Sequence, residues 1–73
     1  MIEVRLFDGL RQGRQKIYQM ETSSVKNVQD IMDVLNIDRS EVNILLINGF
    51  HQKPETEVKD EDIVSLFPAV GGG

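Results

Sequence analysis

The chain has 73 residues, no cysteine, and twelve acidic against eight basic side chains, for a net charge of −4. That is enough chain for one small domain with a barely adequate core; it leaves no disulfide framework, no Cys-based metal site and no thiol nucleophile, and its acidity argues against a nucleic-acid partner. The first residues lack a basic segment leading into an apolar run, and no stretch is long enough to cross a bilayer, so the expected compartment is the cytoplasm, away from membranes.

Residues 2–7 alternate, with Ile2, Val4 and Leu6 on one side and Glu3, Arg5 and Phe7 on the other, the period of a strand with one buried face. Asp8-Gly9 and Gln12-Gly13 mark a turn region longer than a tight hairpin. Residues 16–20 read as a second strand, in which Ile17, Tyr18 and Met20 leave the inward face undecided. Ser24 is then expected to cap a helix. Val28, Ile31, Met32 and Leu35 form its apolar stripe, Lys26, Asp30 and Asp33 take the opposite side, and Asn36 is the expected stop, with Ile37 turning back to the core. Asp38-Arg39-Ser40 reads as a short turn.

Residues 44–47, Ile-Leu-Leu-Ile, form the continuous apolar run of a strand covered on both sides. Asn48-Gly49 is a hairpin signal, because both turn positions tolerate positive φ. Residues 50–53 would return as a short strand ended by Pro54, and residues 63–67 make the last strand, with Val64 and Leu66 opposed to Ile63, Ser65 and Phe67. One helix cannot cover both faces of such a sheet, so it should pack across one and leave the other open. The intervening acids Glu55, Glu57, Asp60, Glu61 and Asp62 lack ligand spacing and read as a solvated loop, with no metal site. His51, the only histidine, reads as a solvated edge residue, and no nucleophilic triad or phosphate-cradling loop is present.

The chain closes with Phe67-Pro68-Ala69-Val70-Gly71-Gly72-Gly73. This segment holds no catalytic acid, base or thiol, and Pro68 cannot donate a backbone hydrogen bond. Three glycines cost much entropy to order, so the segment is expected to be mobile, and thin enough to thread a channel that a bulkier residue would block. The reacting group it can offer is the α-carboxylate of Gly73. The division expected is a folded domain over residues 1–67 and a flexible diglycine tail over 68–73.

The element order, with Leu6-Phe7 closing the first strand and Leu66-Phe67-Pro68-Ala69-Val70 running into the glycines, resembles the MoaD/ThiS-type sulfur-carrier proteins over essentially the whole chain. The Leu-Phe-Pro ending is closer to the small subunit of molybdopterin synthase than to the thiamin sulfur carrier. The family commonly has a second proline where Ala69 stands, a glycine where Glu61 stands, and a larger residue where Gly71 stands. The resemblance implies an α+β fold of the ubiquitin-like β-grasp type: a mixed sheet of four to five strands with one helix across one face.

It also implies that the chain is a protein cosubstrate and not an enzyme. Gly73 would be adenylated by an E1-like activating enzyme using Mg-ATP, with no cofactor bound to the chain itself, and then converted to a thiocarboxylate. Gly71 and Gly72 would thread the tail into that enzyme, and Pro68 would stiffen its exit. The sulfur acceptor would be reached through the large subunit of molybdopterin synthase or, next, a thiazole synthase; the free chain is expected to be a monomer. Two other readings share the fold: a ubiquitin-like modifier conjugated through Gly73, and a non-covalent interaction module. In a β-grasp sheet the first and last strands are neighbours, so Phe7 and Phe67 would meet on the helix-free face as a docking patch rimmed by Arg5 and Ser65, unless they fold over an edge into the core. Phe50 would either join that patch or fill the core. The net acidity fits a partner with a positive docking surface.

Overall fold

A computed structural model describes residues 1–69. Five strands, β1 (Ile2–Leu6), β2 (Ile17–Met20), β3 (Val42–Ile47), β4 (Phe50–His51) and β5 (Ile63–Pro68), form one sheet in the order β2-β1-β5-β3-β4. β1 and β5 run parallel at its centre and every other pairing is antiparallel. The single helix, α1 (Val28–Val34), lies across one face. This is the expected ubiquitin-like β-grasp architecture.

Alternation decides what is buried. Ile2, Val4, Leu6, Val64 and Leu66 are fully inaccessible, and they meet Val28, Ile31 and Met32 from α1. Three further core residues sit in segments that look like turns or loops in sequence. Leu10 comes from a 3₁₀ turn over Asp8–Arg11, Val25 from the approach to the helix, and Val58 from the acidic loop. In β2 it is Tyr18 and Met20 that pack on the core, while Ile17 stays exposed.

Two expectations need correction. Ser24 does not cap the helix: its amide and hydroxyl both donate to the Glu21 carbonyl in a turn. Lys26 and Asn27 lie against the loop before β5, Asn27 bridging Glu57 and the Val58 amide donating to the Lys26 carbonyl, and Asn27 caps α1 by accepting from the Asp30 amide at 2.9 Å. The first helical amides of Val28 and Gln29 are satisfied by the carbonyls of Thr56 and Pro54. Tertiary pairing therefore delays the helix by about one turn relative to its hydroxyl signal. β3, secondly, is not covered on both sides. Leu45 and Ile47 are buried under the helix, whereas Ile44 and Leu46 are only half-buried on the other face, because one short helix is all the cover available.

The stop at Asn36 holds. It takes φ 56°, its amide donates to the Asp33 carbonyl, and the amide of buried Ile37 donates to the Met32 carbonyl, the paired bonds that close a helix C-terminus. Arg14 reinforces that end by donating to the carbonyls of Leu35, Asn36 and Leu10. At the hairpin, Asn48 and Gly49 take φ of 53° and 87°. The Asn48 side chain also ties the turn to the start of β5, donating to Asp62 and accepting from the Ile63 amide.

β5 runs one residue past the end expected from alternation, and Pro68 explains how. The Phe7 amide donates to the Leu66 carbonyl. Continuing a parallel ladder would then bring an amide from position 68 to the Phe7 carbonyl. Pro68 has none, so that carbonyl accepts from Leu10 instead and β1 turns away into the 3₁₀ segment. On its other side β5 stays paired: Pro68 is level with Val42, across a bulge between Val42 and Ile44, and the Ala69 amide donates to the Glu41 carbonyl at 3.4 Å.

Ile31→Ala should cost about 2–5 kcal/mol in denaturant melts through the cavity it leaves. Val34→Ala, at a side chain 63% exposed on the same helix, should stay within about 0.5 kcal/mol; equal costs would contradict the assigned helix face. Glu61 adopts φ 73°, so Glu61→Gly should stabilise by about 0.5–1 kcal/mol by relieving a left-handed side chain, and a lower melting temperature would count against that strain.

Candidate functional site

Because β1 and β5 are parallel and Leu6 is level with Leu66, the two strands end together and the residues after each are neighbours. Phe7 and Phe67 accordingly stack on the helix-free face, their rings nearly parallel at 9° with centroids 4.3 Å apart. Both are half-buried. They are neither solvated singly nor folded into the core beneath α1. Ile44, level with Phe67 on β3, extends the row across a third strand. Ser65 and Leu46 lie one step back along β5 and β3. The result is an apolar strip that crosses the sheet at the root of the C-terminal segment.

Arg11 was not anticipated as part of this strip. It belongs to the 3₁₀ turn after β1, where its Nε donates to the Leu6 carbonyl at 2.7 Å and its guanidinium carbon stands 5.4 Å from the centre of the Phe7 ring. The signal was a cation four residues beyond Phe7, and it means something only once the intervening residues are known to coil. Arg5, expected at the rim, is on the correct face, but its Nε is engaged by Glu3. That contact, with a second hydrogen bond from Gln19, holds the Glu3 carboxyl below the usual carboxylate range, so the pair stays ionised together.

The other residues singled out from sequence are dispersed. Phe50 is 72% exposed at the edge hairpin and is level with Ile47, not with Phe67, so it stands apart from the stack. His51 is exposed beside it, opposite Leu46. The acidic loop makes local contacts: Glu55 pairs with Arg39, Asp60 with the Met1 ammonium, and Asp62 accepts from Asn48 and from the Lys59 amide. Among the described residues no three acidic or imidazole side chains converge as metal ligands, and no helix is long and apolar enough to cross a membrane.

Pro68 is half-buried and Ala69 exposed at the edge of this strip. Val70, and the expected threading and acceptor residues Gly71, Gly72 and Gly73, lie outside the described residues. The direction of the segment as it leaves the sheet is set by the Pro68–Val42 pairing and the Ala69–Glu41 hydrogen bond. Glu41 is itself fixed: its carboxylate accepts from the Asp38 amide while its own amide donates to the Asp38 carbonyl, in the capped 3₁₀ turn that opens β3.

The ThiS family profile matches residues 4–73. No curated protein sequence matches the chain. Among solved structures, SAMP1 from Haloferax volcanii superposes with a TM-score of 0.74 at 20% identity, over 99% of this chain and 98% of that one. A chain from the complex of subunits 1 and 2 of molybdopterin-converting factor from Helicobacter pylori superposes with a TM-score of 0.66 at 22% identity, over 99% and 97%. At these identities the likeness is one of fold.

The stack should behave as a coupled pair. In a double-mutant cycle of Phe7→Ala and Phe67→Ala, denaturant melts should return a coupling of about 0.5–1.5 kcal/mol. A coupling near zero would mean that the two rings contribute independently.

Proposed function

The chain belongs to the ThiS family, and on that premise we propose that it is a sulfur-carrier protein whose reacting group is the Gly73 carboxylate, activated by an E1-like enzyme. The observation that carries this reading is the course of β5. A central strand of the sheet passes through the aromatic strip at Phe67-Pro68 and continues in sequence as Ala69-Val70-Gly71-Gly72-Gly73. A carboxylate is a poor acyl donor because it is anionic and has no leaving group. Adenylation with Mg-ATP, releasing pyrophosphate, removes the charge and installs AMP as the leaving group. Hydrosulfide then displaces AMP, the C–S bond forming as the acyl–phosphate C–O bond breaks, to leave a thiocarboxylate. The activating enzyme supplies the transition-state stabilisation, and this chain supplies recognition and an acceptor narrow enough to enter.

In this reading the domain docks through Phe7 and Phe67, with Pro68 setting the exit and Phe50 a separate contact at the hairpin. Gly71 and Gly72 thread the activating site. The helicobacter structure is a complex of two subunits, which supports a second docking event in which the thiocarboxylate is handed to a large subunit that transfers sulfur to a pterin precursor; a thiazole synthase is the next acceptor. A modifier reading also has support, since SAMP1 is a small archaeal modifier protein. There the same adenylate would be passed to a lysine amine as an isopeptide.

Intact mass spectrometry of the full chain, produced together with its activating enzyme and a sulfur source, should show one oxygen replaced by sulfur at Gly73. Deleting Gly73, or Gly72→Phe, should abolish that species and leave the melting temperature unchanged. Persistence of the sulfur-bearing mass in either variant would sink the proposal, and slower-migrating conjugates without it would favour the modifier.

A further inference from the structure

The acidity of the whole chain conceals a polar distribution of charge along the sheet. Four of its eight cations, Arg5, Arg11, Arg14 and Lys16, fall in the segment that surrounds the C-terminal ends of β1 and β5. Asp60, Glu61 and Asp62 lie at the opposite end of those strands, where the Glu61 amide donates to the Met1 carbonyl and the Glu3 amide to the Asp62 carbonyl, whereas Glu55 pairs with Arg39 in the turn that opens β3. The two central strands are parallel, so this polarity is aligned with the direction in which the C-terminal segment leaves.

The cations at the exit are not equivalent. Arg14 is consumed by two carbonyls at the helix terminus and that of Leu10, and Arg5 is paired with Glu3. Arg11 and Lys16 have no carboxylate partner among the described residues. Together with Arg5, Phe7 and Ile17 they line an open hollow of about 230 Å³ beside the aromatic stack. Asp8, exposed in the same turn, is the nearest unpaired acid in sequence. An apolar strip edged by unpaired cations repels a basic surface and favours one whose apolar centre is edged by carboxylates.

We propose that the hollow formed by Arg11, Lys16 and Phe7 receives an acidic rim on the activating enzyme, and that this contact orients the chain so that the Gly73 end arrives first. The occupant is thus opposite in sign to the one the net charge indicates. The inference rests on the proposed activation of Gly73 and adds the chemistry of its partner. The acidic far end of the molecule is repelled by the same surface, so each encounter is biased toward the productive direction.

The test uses the full chain and the activating enzyme from the same organism. Association is followed by surface plasmon resonance without ATP, and activation separately by pyrophosphate exchange. Lys16→Glu, whose backbone alone is used in the fold, and Arg11→Gln/Lys16→Gln should slow association about tenfold at about 50 mM NaCl and less than about twofold at about 500 mM. Lys59→Glu, in the turn at the other end of β5, should leave it unchanged, and melting curves confirm that each variant is folded.

Exchange by the wild type with association unmoved by the Lys16 and Arg11 variants, or strengthened by them, overturns the acidic rim and leaves the carrier reading intact. Charge-sensitive association without exchange overturns the carrier reading and leaves the rim. No association by the wild type overturns both. Sedimentation showing self-association that is lost in Lys16→Glu and in Asp60→Asn/Glu61→Gln would assign the hollow to the acidic end of a second copy, and also overturns the proposal.

Discussion

The parallel pairing of β1 with β5 is the constraint on which the rest of the molecule depends. A parallel pair needs a long crossover, and here everything between the two strands is that crossover, including the helix and three further strands. The arrangement brings the ends of β1 and β5 to the same edge of the molecule. Phe7 can therefore lie on Phe67, and the segment that follows β5 leaves from a point held on its β3 side. An antiparallel partner would have placed the start of the chain there.

Pro68 is where this constraint and the exit meet. By withholding an amide from the Phe7 carbonyl it ends the parallel ladder, and it frees that carbonyl to close the 3₁₀ turn that carries Leu10 into the core and Arg11 over the Phe7 ring. On the β3 side the strand continues one residue further, to the Ala69–Glu41 hydrogen bond. One imino acid thus separates the two edges of β5: released toward β1, held toward β3. If the reaction takes place on the main chain beyond this point, as proposed, no side chain of the domain has to perform chemistry. Its side chains have only to hold direction and recognise a partner.

Most of the fold was legible because its signals are local and redundant. The alternation in residues 2–6 and 63–67, the Asn48-Gly49 turn and the Asn36 stop each state their geometry in a few residues. The facing of Phe7 and Phe67 followed from parity once the strands were adjacent. What failed was long-range. Ser24 carries a valid capping side chain, but residues 26–28 are claimed by the loop around Val58, and no local rule sees that pairing. Leu10 and Val58 looked like loop residues because a lone apolar side chain between polar neighbours has no period. Ile44 and Leu46 read as buried because an unbroken apolar run outweighs, in a local window, the single helix available to cover it. Arg11 was missed because its place over a ring depends on the coil between them.

The charge pattern shows why a sum over the chain is a weak guide to a partner. Net charge governs solubility and long-range repulsion, but at contact the relevant field extends only about a Debye length, roughly 8 Å at physiological ionic strength. β5 alone, at six residues, is about 20 Å long, so Asp60, Glu61 and Asp62 before it are screened from anything touching the strip at its far end. Around the hollow the exposed groups are Arg11, Lys16 and a Glu3-paired Arg5, against Asp8, while exposed Glu41 stands on the β3 side of the exit with its carboxylate engaged by the Asp38 amide. A molecule of overall charge −4 can therefore present a cationic end, and the parallel strands ensure that the same end carries the aromatic stack and the exit of the C-terminal segment. Charge, stack and exit coincide because one topological choice put the ends of β1 and β5 together.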